Sequence, residues 1–104
     1  KTIILTREAQ QDLDDAYKWY QDQQEGLIKE FIRCIDAKLS DVRRQPLHHQ
    51  LVLSNQVRRA LINRFPFSIY YINENESITV IAILHSEALL IHENQEPNEW
   101  LQVI

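Results

Sequence analysis

The densest positive charge of the chain lies in the stretch RRALINRFPFSIYY, which begins at residue 58. Arg58, Arg59 and Arg64 occupy its first half, and residues 46–72 contain no acid. A guanidinium donates hydrogen bonds in a planar fork that fits carboxylates and phosphates. These arginines are therefore candidates for contact with a target or partner, and the alternative is that they pair with acids of the same chain.

Negative charge dominates the rest of the sequence. The formal net charge is -4, and residues 73–104 contain six glutamates and neither lysine nor arginine. An acidic chain does not favour tight binding to a bare phosphate backbone, so direct binding to nucleic acid is not expected. The acidic residues also make internal pairing with the arginines a serious alternative, since opposite charges within one small domain attract.

Few other side chains could do chemistry. His85 ends an apolar run and could transfer a proton because the ordinary pKa of imidazole is near neutrality, although a packed structural histidine is the simpler interpretation. The four histidines and the single Cys34 show no metal-ligand spacing, so neither a metal nor a cofactor is expected. One cysteine favours a reducing compartment, and the absence of a long apolar run favours a cytoplasmic protein without a membrane partner.

The first part of the chain predicts a strand and two helices. KTIILT is short and β-branched, and Thr6 is the expected N-cap of a helix that runs to about Gln23. Gly26 interrupts the helical pattern, and Pro46 ends a second helix. Apolar residues follow helical spacing in both: Ala9, Leu13, Ala16, Tyr17 and Tyr20 in the first helix, and Leu27, Ile28, Phe31, Ile32, Ile35, Leu39 and Val42 in the second.

The second part predicts strands at about 57–65, 68–72 and 77–84, with a further short strand around 51–53 left open. Strand alternation assigns Arg58 and Arg64 to one face of the sheet and Arg59 to the other. In the last strand residues 78, 80, 82 and 84 are expected on one face and 79, 81, 83 and 85 on the other. Both faces are largely apolar, which predicts a central strand. We therefore expect one α+β domain over residues 1–104, with the order β-α-α-β-β-β, a helical hairpin against an antiparallel meander, and an acidic tail from about residue 86.

Three segments in this order resemble the RelE/ParE superfamily of bacterial toxins. LTREAQQDLDDAYKWY contains the A-x-x-D-L pattern at Ala9, Asp12 and Leu13. VRRALINRFPFSIYYI is similar to R-R-x-L-x-x-R-F-P-Y-x-I-x-Y, and ITVIAILH is similar to the strand that carries V-x-A-V-L-H. The resemblance covers nearly the whole chain and implies a small toxin that a cognate antitoxin neutralises.

The resemblance leaves two kinds of target open. RelE-like members cut mRNA on the ribosome, and ribonuclease members commonly carry an arginine at the position of Ser68; His85 is a candidate catalytic residue only on this alternative. AILH is closer to the ParE-like branch, whose members inhibit DNA gyrase without cutting nucleic acid. The lead prediction is therefore a ParE-like, plasmid-stabilising toxin that acts by binding protein and is not an enzyme. An inactive binding module is a third alternative, and a homodimer is left open.

The residues expected to contact a target or antitoxin are Arg58, Arg59, Arg64, Trp19 and Trp100. Trp19 lies off the apolar stripe of its helix, and an exposed tryptophan favours a partner contact. Members of the ParE-like branch typically continue after the histidine as H-x-x-R-D-P-x-x-W. Here P-N-E-W is kept, and Gln95-Glu96 stand in place of Arg-Asp.

Overall fold

The computed structural model describes residues 1–85, which form two helices packed on one five-stranded sheet. This confirms the α+β class, and one added strand extends the predicted three-stranded meander to four. The acidic tail from residue 86 lies outside the described residues. The elements in chain order are β1 (Thr2–Leu5), α1 (Arg7–Gln21), α2 (Leu27–Arg44), β2 (Gln50–Leu53), β3 (Val57–Leu61), β4 (Phe67–Asn73) and β5 (Ser77–His85).

The helix boundaries follow from local chemistry. Thr6 is the N-cap of α1, where its Oγ1 accepts a hydrogen bond from the Ala9 N–H at 3.1 Å, as predicted. Gly26 is the N-cap of α2 and has φ +86°. A residue without Cβ adopts this left-handed backbone conformation at little cost. The predicted α1 was two residues too long, because the helix ends at Gln21.

The sheet has the strand order β1-β5-β4-β3-β2, so β5 is central as predicted. β1 runs parallel to β5, and the other neighbours are antiparallel. β1 pairs with β5 only as far as Leu5, which lies opposite Val80. The last five residues of β5, 81–85, therefore extend beyond β1 along that side.

A bulge in β5 changes which of its side chains face the helices. Tyr71 pairs with Val80, whereas Tyr70 pairs with Ala82, so Ile81 is an extra residue in the ladder. The simple alternation expected from the sequence, with 78, 80, 82 and 84 on one face, is therefore wrong beyond Val80. After the bulge, residues 83 and 85 lie on the helix side of the sheet.

The main core lies between the helices and the sheet. Its centre is an aromatic group of Tyr20, Phe31, Phe65 and Phe67, with ring centroids 4.8–5.9 Å apart. The predicted core position of Tyr17 is wrong, because its side chain is 40% exposed at the margin of α1. A second apolar cluster, centred on the buried Val57, Tyr70 and Ala82, lies on the opposite face of the sheet.

Candidate functional site

The helix α1 closes the side of β5 that β1 leaves unpaired. The Thr6 hydroxyl donates to the carbonyl of Ile81 at 3.4 Å, and Asp12 Oδ2 accepts the Ile83 N–H at 3.0 Å. Burial raises the pKa of the Asp12 carboxyl above its ordinary value, and the hydrogen bond from Ile83 opposes that shift. Asp12 of the A-x-x-D-L pattern thus joins the first helix to the last described strand.

Beside this junction lies a cavity of about 360 Å³, which we call the α1–β5 pocket. It forms where the end of β5 and the turn before β4 stand next to one face of α1. Its lining is largely apolar, with two carboxylates on the α1 side. The lining residues are Asp12, Asp15, Ala16, Trp19 and Tyr20 from α1, Pro66 and Phe67 at the start of β4, and Ile83, Leu84 and His85 from β5.

Aromatic rings form much of the pocket wall. Trp19 is 58% exposed, which confirms that it lies off the buried stripe of α1. Its ring meets the buried ring of Tyr20 edge-on, with centroids 4.9 Å apart. The ring of His85 packs against Phe67 at 5.2 Å, a position that the bulge in β5 makes available. The pocket therefore combines a base of packed aromatic rings with an exposed tryptophan.

The three arginines of the opening motif do not form one surface. Arg58 lies on the helix side of β3, where its Nη1 donates to the carbonyl oxygens of Leu47 at 3.2 Å and His49 at 2.6 Å. Arg59 points to the opposite face, and its guanidinium donates to the side chain of Gln50 at 3.3 Å. Since β3 pairs with β2, these contacts hold the α2–β2 connection against the sheet.

Arg64 lies elsewhere, because β3 ends at Leu61 and not at residue 65 as predicted. Arg64 sits in the β3–β4 turn with φ +74°, a backbone conformation that is uncommon for a residue other than glycine. Its side chain is 70% exposed, and Nη1 lies 2.6 Å from Oε1 of Glu30 on α2. Glu30 also pairs with Arg33. The alternation that placed Arg58 and Arg64 on one face is therefore wrong.

A second group of polar residues joins α2 to the sheet, and we call it the α2–β2 network: Asp41, His49, Arg58 and Tyr71. His49 Nε2 lies 3.3 Å from Asp41 Oδ2, and the Tyr71 hydroxyl donates to the carbonyl of Pro46 at 2.6 Å. Burial lowers the pKa of His49, which nearby Asp41 opposes, and burial raises the pKa of Tyr71 to about 12. Arg58 and Tyr71 thus donate to backbone carbonyls of the connecting loop, and the Asp41 carboxylate lies beside the His49 ring.

Ser68, the position at which ribonuclease members commonly carry arginine, is fully buried. It stands in register between Leu61 of β3 and Leu84 of β5. Because protein interiors are closely packed, an arginine at this position could reach a substrate only by displacing the neighbouring side chains.

Sequence reasoning missed two features of these sites. The first is the pairing of Asp41 on α2 with His49 in the following loop. The only sequence signal for it is that the His48-His49 pair follows closely after Pro46, which ends the helix. Asp15 was also missed, although its spacing of three from Asp12 places both on one face of a helix. Trp100, predicted as a contact residue, lies outside the described residues.

Two negative findings apply to residues 1–85. Neither helix in this part of the chain is both long and apolar enough to cross a lipid bilayer. Within the same residues, no three histidine, cysteine, aspartate or glutamate side chains are grouped so that they could hold a metal ion.

Comparison with known proteins places this fold in a family. The chain is similar to a structure of the chromosomal ParDE TA system from P. aeruginosa, with a TM-score of 0.70 and 20% identity over 81% of this chain and 94% of that one. It is also similar to a copper-bound mutant toxin from Helicobacter pylori, with a TM-score of 0.52 and 16% identity over 85% of this chain and 97% of that one.

At these identities the structural matches establish the fold alone, and no curated protein sequence matches the chain significantly. A family model provides the assignment, because it matches residues 3–90 and therefore most of the chain. The matched region includes α1, the sheet and the pocket between them. The chain belongs to the family of ParE toxins of type II toxin–antitoxin systems of the parDE type.

Proposed function

We propose that this chain is a cytoplasmic, plasmid-stabilising toxin that acts by binding a protein target, DNA gyrase, and that a cognate antitoxin neutralises it. The proposal combines membership of the ParE toxin family with the chemistry of the described site. A ribonuclease would instead need a positive group to stabilise charge on the phosphate, and an acid and a base for the transfer of protons.

The observation that carries the proposal is the burial of Ser68. A hydroxyl with no exposed surface, held between two strands, can neither carry positive charge nor contact an RNA phosphate. The position that serves as a phosphate clamp in ribonuclease relatives is therefore part of the sheet interior here.

His85 also has surroundings that oppose RNA cleavage. Its ring packs on Phe67 in a pocket whose other ionisable lining groups include Asp12 and Asp15. Carboxylates repel a phosphodiester, and among residues 1–85 neither lysine nor arginine lines the pocket to offset them. This arrangement suits an apolar protein contact better than a nucleic-acid substrate.

Within this proposal Arg59, Arg64 and Trp19 contact the target or the antitoxin directly. Arg58 donates to loop carbonyls, so its part is to position the α2–β2 connection. Trp100 remains a proposed contact residue that no described contact supports. A direct role for the arginines agrees with the hydrogen-bonding geometry of guanidinium groups, which favours carboxylates on a protein partner.

The test is tightly controlled induction of the full chain in bacteria, followed by colony counts, plasmid supercoiling and the integrity of cellular mRNA. We expect loss of colonies, relaxed plasmid and intact mRNA, and we expect the His85→Ala variant to stay toxic. Cuts in mRNA that disappear in His85→Ala would contradict the proposal and establish a ribonuclease. Normal growth with soluble protein present would contradict the proposed toxicity and favour the inactive binding module.

The arginine contacts have a matched control within the chain. Arg64 and Arg33 both pair with Glu30, and both side chains are about equally exposed, at 70% and 73%. We expect Arg64→Ala and Arg59→Ala to reduce toxicity, measured as surviving colonies, while Arg33→Ala leaves it unchanged. Equal toxicity of all three variants and the parent chain would remove the arginines from the proposed surface.

A further inference from the structure

The face of the sheet opposite α1 and α2, which we call the helix-free face, is buried at its centre. Ser68, Tyr70 and Ala82 lie on this face, and their exposed fractions are 0%, 0% and 2%. Within residues 1–85, the apolar cluster around Tyr70 consists of strand residues alone, because both helices pack on the other face. Side chains stand out from a sheet, so a tyrosine ring on an open face would keep its outer edge in water. The burial of Tyr70 therefore requires a further layer of residues above the strands.

The margins of the same face show how exposed an uncovered position is. Strand alternation places Ile4 of β1 and Leu61 of β3 on the helix-free face, and these side chains are 48% and 58% exposed. Leu61 is exposed although it stands in register with the fully buried Ser68. The cover is therefore local, and it lies over β4 and β5 without extending to either margin.

The part of the chain that follows β5 begins beside this buried centre. His85 is the last residue of β5 and pairs with Phe67, next to the pairing of Leu84 with Ser68. Residues 86–104 are 19 in number, which in extended conformation reach at most about 60 Å, whereas the nine residues of β5 span about 30 Å. The segment is therefore long enough to turn back and cover the centre of the face.

The composition of residues 86–104 fits the helix-free face better than the α1–β5 pocket. The run ALLI at 88–91 provides large apolar side chains, and a glutamate stands in the sequence near each end of it. Arg59 points to the helix-free face and attracts these glutamates, whereas Asp12 and Asp15 of the pocket repel them. An apolar run between acids thus matches an apolar surface that has an arginine beside it.

We propose that residues 86–104 are the cover of the helix-free face, with the ALLI run packed on Ser68, Tyr70 and Ala82 and a neighbouring glutamate paired with Arg59. The face is thus an intramolecular interface. Arg59 is half-buried, and a guanidinium has five N–H donors, so it can hold a glutamate of the tail and still present donors to a partner. The inference requires neither gyrase nor an antitoxin, and it is tested in the free chain.

The test places a single tryptophan in the proposed contact of the full chain. Trp19→Phe and Trp100→Phe remove both natural tryptophans, and Leu90→Trp introduces the probe. We expect blue-shifted emission that acrylamide quenches weakly at every protein concentration, because the ring packs on the sheet of the same molecule. Emission that is red-shifted and quenched as readily as in the urea-unfolded chain would overturn the proposal.

A second copy of the chain is the main alternative cover, and protein concentration distinguishes it. Sedimentation of the same probe variant measures its oligomeric state over the range used for fluorescence. We expect a monomer with protected emission throughout. Protection that appears only as dimer forms would identify the second copy as the cover and would overturn the proposal.

Two charge substitutions then test which surface the probe contacts. Ala82→Glu places a carboxylate at the buried centre of the helix-free face, and Leu61→Glu places the same charge at its exposed margin. We expect Ala82→Glu to make the probe as accessible to acrylamide as in the unfolded chain, with native circular dichroism. We expect Leu61→Glu to leave the protection unchanged. Equal effects of the two variants, or continued protection in Ala82→Glu, would overturn the contact.

Charge reversal at Arg59 provides a test that does not depend on the folding of Ala82→Glu. Arg59 is half-buried, so Arg59→Glu changes the charge of the face without placing an acid at its centre. We expect Arg59→Glu to increase the quenching of the probe by acrylamide, because the tail glutamates are then repelled. Arg43→Glu, at an exposed position of α2, is the control and should leave quenching unchanged. Equal quenching in these two variants would overturn the pairing of the tail with Arg59.

Discussion

The α1–β5 pocket and the α2–β2 network lie at different parts of the same sheet and use their polar groups in opposite ways. In the network, the Arg58 guanidinium and the Tyr71 hydroxyl donate to backbone carbonyls of the chain itself. In the pocket, Asp15 and Trp19 border open space. The network therefore binds the chain's own backbone, whereas the pocket presents an exposed aromatic ring beside an acid.

This difference gives the contacts of Arg58 a structural explanation. A buried polar group must be paired, because leaving it without a partner costs more than its bond contributes to stability. Arg58 supplies the hydrogen-bond donor for two backbone carbonyls of the loop that follows α2. Trp19 of the α1–β5 pocket is instead 58% exposed, which agrees with its proposed role in binding.

The largest expected effect separates two neighbouring aromatic residues of α1. Tyr20 is buried in the aromatic core and also forms the base of the pocket, whereas Trp19 is exposed. We expect Tyr20→Ala to lower the free energy of unfolding by about 3–5 kcal/mol, and Trp19→Ala by no more than about 0.5 kcal/mol. Urea denaturation followed by circular dichroism measures both. A loss of several kcal/mol in Trp19→Ala would show that Trp19 belongs to the core.

The next effect tests whether the network is structural. Replacing Arg58 with alanine leaves the carbonyls of Leu47 and His49 without this donor, which should cost about 1–3 kcal/mol of unfolding free energy. Arg43→Ala, at an exposed position of α2, is the control and should change stability by less than about 0.5 kcal/mol. If the two variants are equally stable, the contacts of Arg58 do not hold the loop.

A smaller effect should appear in the pH dependence of stability. Because burial lowers the pKa of His49 below its ordinary 6.5, the unfolded chain takes up a proton more readily than the folded chain. Stability should therefore fall as pH decreases through 6.5 towards the lower pKa of the folded state. We expect this loss to be smaller in His49→Gln and unchanged in His48→Gln, measured as urea midpoints between pH 7.5 and 5.5. Parallel losses in all three proteins would contradict the shift.

The smallest expected effect concerns Asp12 of the α1–β5 pocket. Its contribution to stability increases as pH falls, opposite to that of His49. Burial raises the pKa of Asp12 above its ordinary 3.8, so its ionised form is less favourable in the folded chain than in the unfolded chain. Asp12→Asn keeps an oxygen to accept the Ile83 N–H and removes the charge. We expect this variant to be slightly more stable than the parent chain at pH 7, with the advantage disappearing as pH falls towards 3.8.

Asp14→Asn, on the same helix outside the pocket, is the control for this comparison and should show no such gain. A variant at Asp12 that is less stable than the parent chain at pH 7 would mean that the hydrogen bond to Ile83 requires the ionised carboxylate.

Much of the fold could be predicted from local patterns. Thr6 marked the start of α1 because a threonine before a helical apolar stripe satisfies free N–H groups. The apolar residues on both faces of β5 indicated a central strand because each face packs against other residues. The predicted exposure of Trp19 depended on the same helical periodicity and was correct.

The sequence by itself determined the order of the elements, the central position of the last strand and the exposure of Trp19, because each depends on residues close together in the chain. Only the tertiary structure decided the bulge at Ile81, the separation of the three arginines and the pairing of Asp12 with Ile83. These features depend on strand register and on contacts between residues far apart in the chain. A shift of one residue in register reverses the direction of the side chains that follow, and no local pattern specifies that shift.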